Sequence, residues 1–517
     1  MAKTLIIAPP PTPNGDLHVG HMAGPYLAGD IYARYLRLNG KAVNYATGTD
    51  DSQTYVVTSA LKLGTTPEEL CRQSSEDIHS SLKLWGVDLD GYAPFDDGYK
   101  KSVYKFLNPL FENGKLIKKT VRLPYSAHRG EYMVESFVAG ECPVCLAHSR
   151  GGLCEGCGHP NNFDMLVRPT STLPPYEPLE YREAEILVFP VEDYRSELEA
   201  YYAARKGKWR PHILQLMDEL FSRELIDFPV TYPVGWGLPS HFPGTEGQVL
   251  NAWIEGMPAS MYCNACGEVT ADHSADADAI WRSETGNALM YFLGFDNSYF
   301  WGVTHLALLM AHEGKYILPH TIVPNEFYEL ENSKFSTSRG HLIWARDLVS
   351  ELPRDYARFY LCLTSPEHNR NNFSRAALKQ ILNERLITSW NLLVSAYKAQ
   401  DWNARIDDNA ENVDVIVETM SSRLHQCCRI ETFSQSRLAD WILNHITRLQ
   451  ELIAENNGLS LWAVNRQLSV LLDGMGLVMI DLHKSVAPAG TLNACSVLTL
   501  PELSLIGSDT CSQSYAS

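Results

Sequence analysis

The sequence predicts an α/β fold that continues into a C-terminal bundle of helices. Residues 4–8 form a short apolar run that three prolines, Pro9 to Pro11, bring to an end. A helical pattern follows, and a second strand-like run begins at Ala42, which gives the chain a β-α-β start. Strand-like runs return over about 227–330. Beyond residue 375 prolines are almost absent, and apolar residues recur at helical spacing as far as about residue 485, which indicates the bundle.

The first helix is predicted from the spacing of its apolar and aromatic residues. Leu27, Ile31 and Tyr35 recur every four residues, so they share one face of a helix. Gly40 is a typical helix terminator, and the run 42–46 after it has the composition of a buried strand. Together with the run at 4–8, these elements predict two neighbouring strands joined through a helix.

The rest of the chain is organised around an insertion. Helical patterns continue over about 50–115. The stretch of about 116–226 carries a cysteine cluster and a proline-rich segment, Pro169 to Pro178, which is typical of an inserted domain. The last ~20 residues are rich in serine and are predicted to be loose.

Composition and charge limit the class of protein. With 517 residues, 45% of them hydrophobic and 20% charged, the chain is typical of a globular protein with roughly two to four domains. It has no apolar run near the ~18 residues of a membrane span and no signal peptide, so we expect a soluble, cytoplasmic protein without a membrane partner. The net charge of -18 argues against a non-specific nucleic-acid coat and against a DNA partner, but it leaves one RNA, such as tRNA, open.

Six of the twelve cysteines fall in three Cys-x-x-Cys pairs, which indicates metal binding more than disulfides in a chain of this kind. Cys142 and Cys145, followed after eight residues by Cys154 and Cys157, have the spacing of a closed tetrahedral zinc site with a structural role.

The third pair, Cys263 and Cys266, has no obvious partner pair. His273 is a candidate third ligand, but we favour the interpretation that Cys263 and Cys266 are free thiols. No second metal is predicted.

Two further segments indicate phosphate chemistry. Between the first strand and the first helix, His18 and His21 are placed to donate hydrogen bonds to phosphate oxygens, and Gly20 allows a nucleotide to approach the backbone. The bare pattern fits a structural role for one histidine equally well. The segment from Lys334 to Gly340 is basic at both ends and rich in small residues, which suits a mobile loop that holds a triphosphate; taken alone it also fits a plain surface loop.

Together these two segments resemble the paired HIGH and KMSKS motifs of the class I aminoacyl-tRNA synthetases, in the order found in that family. The chain is most similar to the methionyl-tRNA synthetases, and the likeness extends through most of its length. The further stretches that carry the resemblance are 48–51, 236–239, 253–255, 293–296 and 352–360.

The resemblance implies a split Rossmann catalytic domain, which is a doubly wound parallel sheet, with a zinc-knuckle connective insertion and a C-terminal helical bundle. It also implies a monomer. The structural Zn²⁺ ion of the family's zinc knuckle agrees with the spacing of the four cysteines. The expected domains are the first Rossmann half at 1–115, the connective insertion at 116–226, the second half at 227–340, a stem-contact region at 341–375, an anticodon-binding-like bundle at 376–490 and a flexible tail at 491–517.

The implied reaction begins with ATP and Mg²⁺. An amino-acid carboxylate attacks the α-phosphate, and the aminoacyl-adenylate then passes its acyl group to an acceptor. His18, His21 and Lys334 are the candidate catalytic residues, because donors aimed at the phosphates oppose the charge that develops there. The wider set of expected ATP-binding residues adds Pro11, Asn14, Gly20, Ser336, Ser338 and Arg339.

Asp51 follows the second strand and is expected to pair with the substrate ammonium, although a helix N-cap is the alternative role for it. The expected amino-acid-binding residues are Pro10, Thr12, Asp51, Trp253, Ser260 and Trp301.

Several of these positions depart from the family pattern. Trp253 is kept, but the usual Leu-Pro-Tyr becomes Pro10-Pro11-Thr12, a tyrosine is replaced by Ser260 and a histidine by Trp301. Such changes alter both the size and the polarity of a pocket, so the sequence predicts an amino acid other than methionine. In the loop after Lys334, the second lysine of the motif is Thr337, which removes one cation; Arg339 is the candidate replacement.

The expected anticodon reader has changed as well. Asn391 is kept, the arginine one helical turn later is Ser395, and the family's tryptophan motif survives only at Trp462. Two hypotheses follow: a methionine-tRNA ligase whose motifs have drifted, or a paralogue that joins another amino acid to a small amine without tRNA. The pattern of drift favours the second. A catalytically dead binding module is disfavoured, because His18, His21, Asp51 and Lys334 are all present.

Overall fold

A computed structural model describes residues 2–268, 276–335, 341–402, 410–455, 460–486 and 494–507, with the backbone alone at 334, 410 and 411. The strands are β1 (Thr4–Ile7), β2 (Val43–Gly48), β3 (Gly91–Ala93), β4 (Ile117–Ser126), β5 (Glu131–Tyr132), β6 (Val138–Glu141), β7 (His148–Arg150), β8 (Val167–Ser171), β9 (Glu180–Phe189), β10 (Phe228–Pro229), β11 (Thr231–Tyr232), β12 (Val249–Leu250), β13 (Ala288–Gly294), β14 (Pro319–Asn325), β15 (Tyr328–Leu330), β16 (Ser333–Lys334) and β17 (Asn371–Phe373).

The α-helices are α1 (Val19–His21), α2 (Leu27–Leu38), α3 (Thr54–Leu63), α4 (Pro67–Leu84), α5 (Asp97–Glu112), α6 (Arg195–Ala203), α7 (Pro211–Phe221), α8 (Ala252–Ala265), α9 (His305–Ala311), α10 (Ala345–Glu351), α11 (Arg354–Leu363), α12 (Arg375–Ile381), α13 (Thr388–Lys398), α14 (Ala410–Cys428), α15 (Gln435–Ala454), α16 (Leu461–Val478) and α17 (Ile480–Val486). Of the helices that the structure describes, none is long and apolar enough to cross a membrane.

The chain forms two compact units. The first contains residues 1–16, 42–80 and 88–325, and the second contains 17–41, 81–87 and 326–517.

The first unit is built on a five-stranded parallel sheet. Its strand order is β14-β13-β1-β2-β3, and β1 lies between β2 and β13 with Thr4 opposite Val43 and Ala288. Leu5, Ile6 and Ile7 are fully buried, as expected of a central strand that is covered on both faces. Three of the strands precede residue 94 and two follow residue 287, so a long insertion splits the sheet. The predicted split, doubly wound parallel sheet is confirmed.

The insertion has sheets of its own. β4 pairs with β9 along its length, β5 and β10 extend this sheet, and β6 joins β7 and β8 in a second one. Residue 226 is the expected end of the insertion, but β10 beyond it pairs with β9, and β11 pairs with β12. The domain limits themselves stay a prediction.

The second unit is mainly helical, and the helices expected beyond residue 375 are confirmed, from α12 to α17. A buried ion pair fixes α11 against α2, since Arg358 donates to Asp30 Oδ2 at 2.7 Å while neither side chain is exposed. The same guanidinium also donates to the carbonyl oxygens of Trp85, Leu477 and Val478. A buried charge with this many partners is stabilising only while all of them stay in place.

The C-terminal segment differs from the loose tail that was predicted. Residues 494–507 run along the bundle, where Asn391 donates to Leu503 O and accepts from Leu503 N, both at 2.8 Å. Asn383 forms the same double contact with the backbone of Ile506, at 3.1 and 2.9 Å. An asparagine amide donates through its NH2 group and accepts through its oxygen, so it can pair with an extended backbone as a neighbouring strand does. Residues 508–517 lie outside the described part of the chain.

Candidate active site

The histidine segment lies in the second unit and is internally bonded. The backbone N–H of His18 donates to Nδ1 of His21 at 3.2 Å, and the two rings stack with their centroids 3.8 Å apart. Since Nδ1 accepts, the proton of the His21 ring is on Nε2. Burial lowers the pKa of His21 to about 4, so the ring is neutral at pH 7. It is therefore a neutral N–H donor.

Gly20 makes room for the His18 ring. A Cβ atom at residue 20 would lie 3.0 Å from Cε1 and Nδ1 of His18 and 3.2 Å from Cδ2 of Phe335. The His18 ring stacks on Phe335 with centroids 4.7 Å apart and an interplanar angle of 8°. A side chain at residue 20 would therefore crowd this packing, and the approach of a nucleotide at Gly20 stays a prediction.

Backbone hydrogen bonds join residues 17–19, at the histidine segment, to residues 343–345, which follow the segment from Lys334 to Gly340. Val19 N donates to Ile343 O at 2.9 Å and Ala345 N donates to Leu17 O at 2.8 Å. Lys334 lies in β16, opposite Glu329 of β15 in a hairpin. The other residues predicted in this loop, Ser336, Thr337, Ser338 and Arg339, lie outside the described residues.

In the first unit, the loop after β1 and the turn after β2 contact each other. Asp50 N donates to Pro11 O at 3.0 Å, and Asn14 N donates to Thr12 O at 2.9 Å. Pro10 belongs to the same half-buried loop. These residues follow the carboxyl ends of adjacent parallel strands, which is where open α/β sheets bind ligands.

Three buried or half-buried acids lie in this region. Thr49 donates to Asp51 Oδ2 at 2.6 Å, and burial raises the pKa of Asp51 to about 6. Gln53 donates to Asp50 Oδ2 at 2.8 Å, and burial raises the pKa of Asp50 to about 7. The third acid is Glu255 of α8, whose pKa burial raises well above its usual range.

Ser52 and Tyr99 donate hydroxyl hydrogen bonds to Glu255 Oε2, at 2.9 and 3.2 Å. The side-chain donors to these acids are hydroxyls and an amide, which carry no charge of their own. Burial therefore favours the neutral, protonated form of the three carboxyls, and a cationic ligand would favour their ionised form.

Trp253 is held on two sides at the start of α8. Its ring stacks on Phe300 with centroids 3.8 Å apart, and its indole N–H donates to Glu135 Oε2 at 3.3 Å. Glu135 comes from the insertion, has a φ of +50°, and also accepts from Gly152 N at 3.3 Å. Burial raises the pKa of Glu135. Sequence reasoning did not single out this residue.

Two other predicted amino-acid-binding residues are packed close to Trp253. Ser260 is fully buried, and its hydroxyl donates to Gly256 O at 2.8 Å within α8. Trp301 is almost fully buried and meets the ring of His305 edge to face, with centroids 4.8 Å apart. Nε2 of His305 in turn lies 2.6 Å from Trp253 O. The structure therefore brings Trp253 and Trp301 together around a histidine that the sequence analysis missed, and Ser260 lies on the same helix as Trp253.

The four cysteines of the predicted zinc site come together in the insertion. Their Sγ atoms all lie within 4.8 Å of one another, with Cys142 and Cys157 at 3.8 Å and Cys145 and Cys154 at 3.6 Å. Zn–S bonds of about 2.3 Å in a tetrahedron place sulfur atoms about 3.8 Å apart, so this set fits a zinc ion. Cys263 is buried on α8 and Cys266 is half-buried, whereas His273 lies outside the described residues.

Comparisons with known proteins agree with this architecture. The sequence model of the tRNA synthetases class I (M) matches residues 4–396. The methionine-tRNA ligase of Thermococcus onnurineus is 30% identical over 409 residues, which cover 75% of this chain and 55% of the relative. That of Flavobacterium psychrophilum is 31% identical over 374 residues, or 71% and 54% of the two chains. The chain thus spans about half the length of the curated relatives that it matches.

A solved structure has the same fold. The crystal structure of Mycobacterium tuberculosis methionyl-tRNA synthetase bound by methionyl-adenylate aligns with a TM-score of 0.71 at 18% identity, over 98% of this chain and 99% of that one. At this identity the likeness concerns the fold alone. The match of the family's sequence model over three quarters of the residues identifies the chain as a member of the class I (M) tRNA synthetase family.

Proposed function

We propose that the protein activates an amino acid with ATP, forms an aminoacyl-adenylate and pyrophosphate, and passes the acyl group to an acceptor. The observation that carries this proposal is the family match over 4–396, which contains the histidine segment, the acidic turn after β2 and Lys334.

His18 and His21 are proposed to act on the phosphates. The amino-acid carboxylate attacks the α-phosphorus and the bond to the pyrophosphate oxygen breaks, so negative charge moves onto the leaving group. His21 offers an Nε2–H donor, and because the ring is neutral it hydrogen-bonds this charge without changing its own protonation state. Lys334 is proposed to add a cation to the same phosphates, and Mg²⁺ accompanies ATP as part of the substrate.

Asp51 is proposed to hold the ammonium group of the amino acid. The two adjacent carboxyls, Asp50 and Asp51, follow the carboxyl end of β2, the edge at which open α/β sheets bind ligands, and this supports the proposal. A bound ammonium lowers the pKa of a neighbouring carboxyl, so the substrate itself favours the ionised form of Asp51. Trp253, Ser260 and Trp301 are proposed to surround the side chain of the amino acid.

The names of the relatives support tRNA as the acceptor, since those that match most of this chain are methionine-tRNA ligases. In that case the protein is a tRNA ligase, and the C-terminal helices take part in tRNA recognition.

A different observation weighs against anticodon reading, and so favours an acceptor other than tRNA, such as a small amine. The amide of Asn391, the position expected to read a base, uses its donor and its acceptor on the backbone of Leu503. Ser395 is exposed and carries no charge, and the guanidinium of Arg466 lies 5.3 Å over the ring of Trp462. A base reader needs free polar groups and an open aromatic face, so this face of the bundle is poorly suited to an anticodon.

Isotope exchange between ATP and pyrophosphate, screened across the amino acids, tests the activation step. The acyl group is then followed with total tRNA and, separately, with a panel of primary amines. Label that reaches tRNA supports the tRNA ligase, and an amide formed in the absence of tRNA supports the second acceptor. Failure of every amino acid to support exchange would reject the proposed activity.

A further inference from the structure

His305, the first residue of α9, has an imidazole that is completely buried. Its Nε2 lies 2.6 Å from the carbonyl oxygen of Trp253. A carbonyl oxygen only accepts, so Nε2 carries the ring proton and Nδ1 is a lone-pair acceptor. Burial lowers the pKa of His305 to about 4, which keeps this tautomer neutral at pH 7.

Nδ1 of His305 has no hydrogen-bond partner among the described residues, and the atom is shielded from solvent. A buried acceptor without a donor is destabilising. An N–H or O–H group from a ligand satisfies it.

The surroundings of the ring point to the kind of ligand. A Cβ atom added at Gly256 would lie 2.7 Å from His305 Cε1, the carbon bonded to Nδ1, so the missing side chain of this glycine leaves the space that the imidazole uses. Trp301 meets the ring edge to face, and Ser260 donates to the carbonyl of Gly256. Of the residues expected to bind the amino acid, Trp253 and Trp301 thus contact His305 directly, and Ser260 bonds to the glycine beside it.

We propose that His305 selects the amino acid, with Nδ1 accepting a hydrogen bond from an O–H or N–H group in the side chain of the substrate. The substrate class is therefore amino acids whose side chains carry a hydrogen-bond donor. Methionine does not belong to it, because a thioether sulfur is only a weak acceptor and leaves Nδ1 unsatisfied. A site built around a substrate donor rejects analogues that lack the donor, and loss of one hydrogen bond to a buried acceptor accounts for about 10- to 100-fold. This inference rests on the proposed amino-acid activation.

The test compares kcat/KM for pyrophosphate exchange across the amino acids in the wild type and in two variants. His305→Gln places an amide where Nε2 was, so it can still donate to Trp253 O but lacks the acceptor at Nδ1. His305→Asn keeps a polar atom near the position of Nδ1 and loses the Nε2 donor. We expect the wild type to prefer a donor-bearing amino acid over methionine. We expect His305→Gln to reduce that preference about 10- to 100-fold through KM, and His305→Asn to retain more of it.

A matched control is His312→Gln. His312 follows the same helix, burial also lowers its pKa to about 4, and it packs on Phe106 outside the cluster around Trp253. Thermal unfolding checks that each variant is folded.

A second measurement needs no variant at all. The preferred amino acid is compared on the wild type with its analogue in which hydrogen replaces the donor group, and we expect the analogue to be about 10- to 100-fold poorer. A preference for methionine in the wild type, or equal use of the two analogues, would overturn the role of His305 while leaving the activation reaction intact. Absence of exchange with every amino acid would instead reject the proposed function.

Discussion

At the scale of single residues, burial sets the charge state of the groups that the site uses. Burial moves His21 to a low pKa and Asp51 to a high one, so each is closer to neutral than on a protein surface. In the free enzyme, burial favours the neutral imidazole of His21 and the protonated carboxyl of Asp51, and a charged ligand then changes this balance. Both assignments lead to kinetic tests.

We expect His21→Ala and Lys334→Ala each to reduce adenylate formation by about 10²- to 10³-fold, and thermal unfolding checks that both variants are folded. Both side chains are proposed to act on charge that develops at the phosphates, so their loss raises the barrier, while His21→Ala also loses a hydrogen bond and a ring contact with His18. Pyrophosphate exchange measures the effect. The exposed His128 offers a control, since His128→Ala should retain full exchange. Wild-type exchange in both site variants would remove the assignment.

The dependence of amino-acid use on pH reports Asp51. The ionised carboxylate attracts the ammonium group, and burial raises the pKa of Asp51 to about 6 in the free enzyme. We therefore expect kcat/KM for the amino acid to be level above this value and to fall about tenfold per pH unit below it. His21, with a pKa of about 4, does not titrate in this window, whereas Asp50, whose pKa burial raises to about 7, does, so the Asp51→Asn profile is needed to separate the two carboxyls. A profile that stays flat between about pH 5 and 8, or an Asp51→Asn variant with the same inflection, would contradict the role.

At the scale of elements, side chains that reach from one segment to another hold the irregular parts of the chain. The cysteine cluster organises the loop between β6 and β8, and asparagine side chains fix the C-terminal segment on the bundle. In both cases, short polar or sulfur contacts replace a hydrophobic core that the segment is too small to form.

We expect one zinc ion per chain, bound by Cys142, Cys145, Cys154 and Cys157. Cys142→Ser should lose the metal and make the insertion sensitive to protease, because the binding energy of a structural zinc is folding energy. Elemental analysis and limited proteolysis measure the two effects. Cys266→Ser is the control and should keep its zinc. Purified wild type without zinc would be the contrary result.

Amide hydrogen exchange tests the contact between Asn391 and the C-terminal segment. The backbone N–H of Leu503 donates to Asn391 Oδ1 at 2.8 Å, so Asn391→Ala should lower the protection of that amide about fivefold for each net kcal/mol lost. Leu392→Ala is a suitable neighbour control, because its side chain is 52% exposed. Equal protection of Leu503 in both variants would show that the asparagine does not hold the segment.

At the scale of the whole molecule, the features that depend on a short stretch of sequence were predicted correctly, and those that depend on distant contacts were missed. The periodicity of Leu27 and Ile31 predicted α2, and the spacing of the cysteines predicted their cluster, because each signal is contained in a short stretch of chain. β4 was missed because most of its first residues are exposed and show no alternation, and β3 because three residues carry no pattern.

The site was predicted in part for the same reason. Resemblance to known motifs found His18, His21, Asp51 and Trp253, which the structure places in ordered, partly buried surroundings. A single histidine in an apolar helix, such as His305, looks like a core residue in the sequence. Glu135 gains its role only through a contact with Trp253, more than one hundred residues farther along the chain.

The acidity of the chain bears on its acceptor. With a net charge of -18 and an altered anticodon reader, we expect initiator and elongator methionine tRNAs to bind no better than unrelated tRNAs at moderate salt. Only contacts to phosphate would remain, and an acidic surface keeps them weak. Equilibrium binding with matched tRNAs measures this. Efficient charging of methionine tRNA that is lost when its CAU anticodon is changed would instead identify a methionine-tRNA ligase.

The Glu135 carboxylate joins two parts of the first unit. One of its oxygens accepts from Trp253 Nε1 and from Gly152 N, and Gly152 lies in the loop between Cys145 and Cys154. Ordering of that loop by zinc therefore steadies the tryptophan that is proposed to meet the amino acid. Coupling free energies between two binding sites are reciprocal. Binding of the amino acid should then strengthen the binding of zinc to the four thiols by the same factor by which zinc strengthens the binding of the amino acid, so that a shortage of zinc weakens the binding of the substrate.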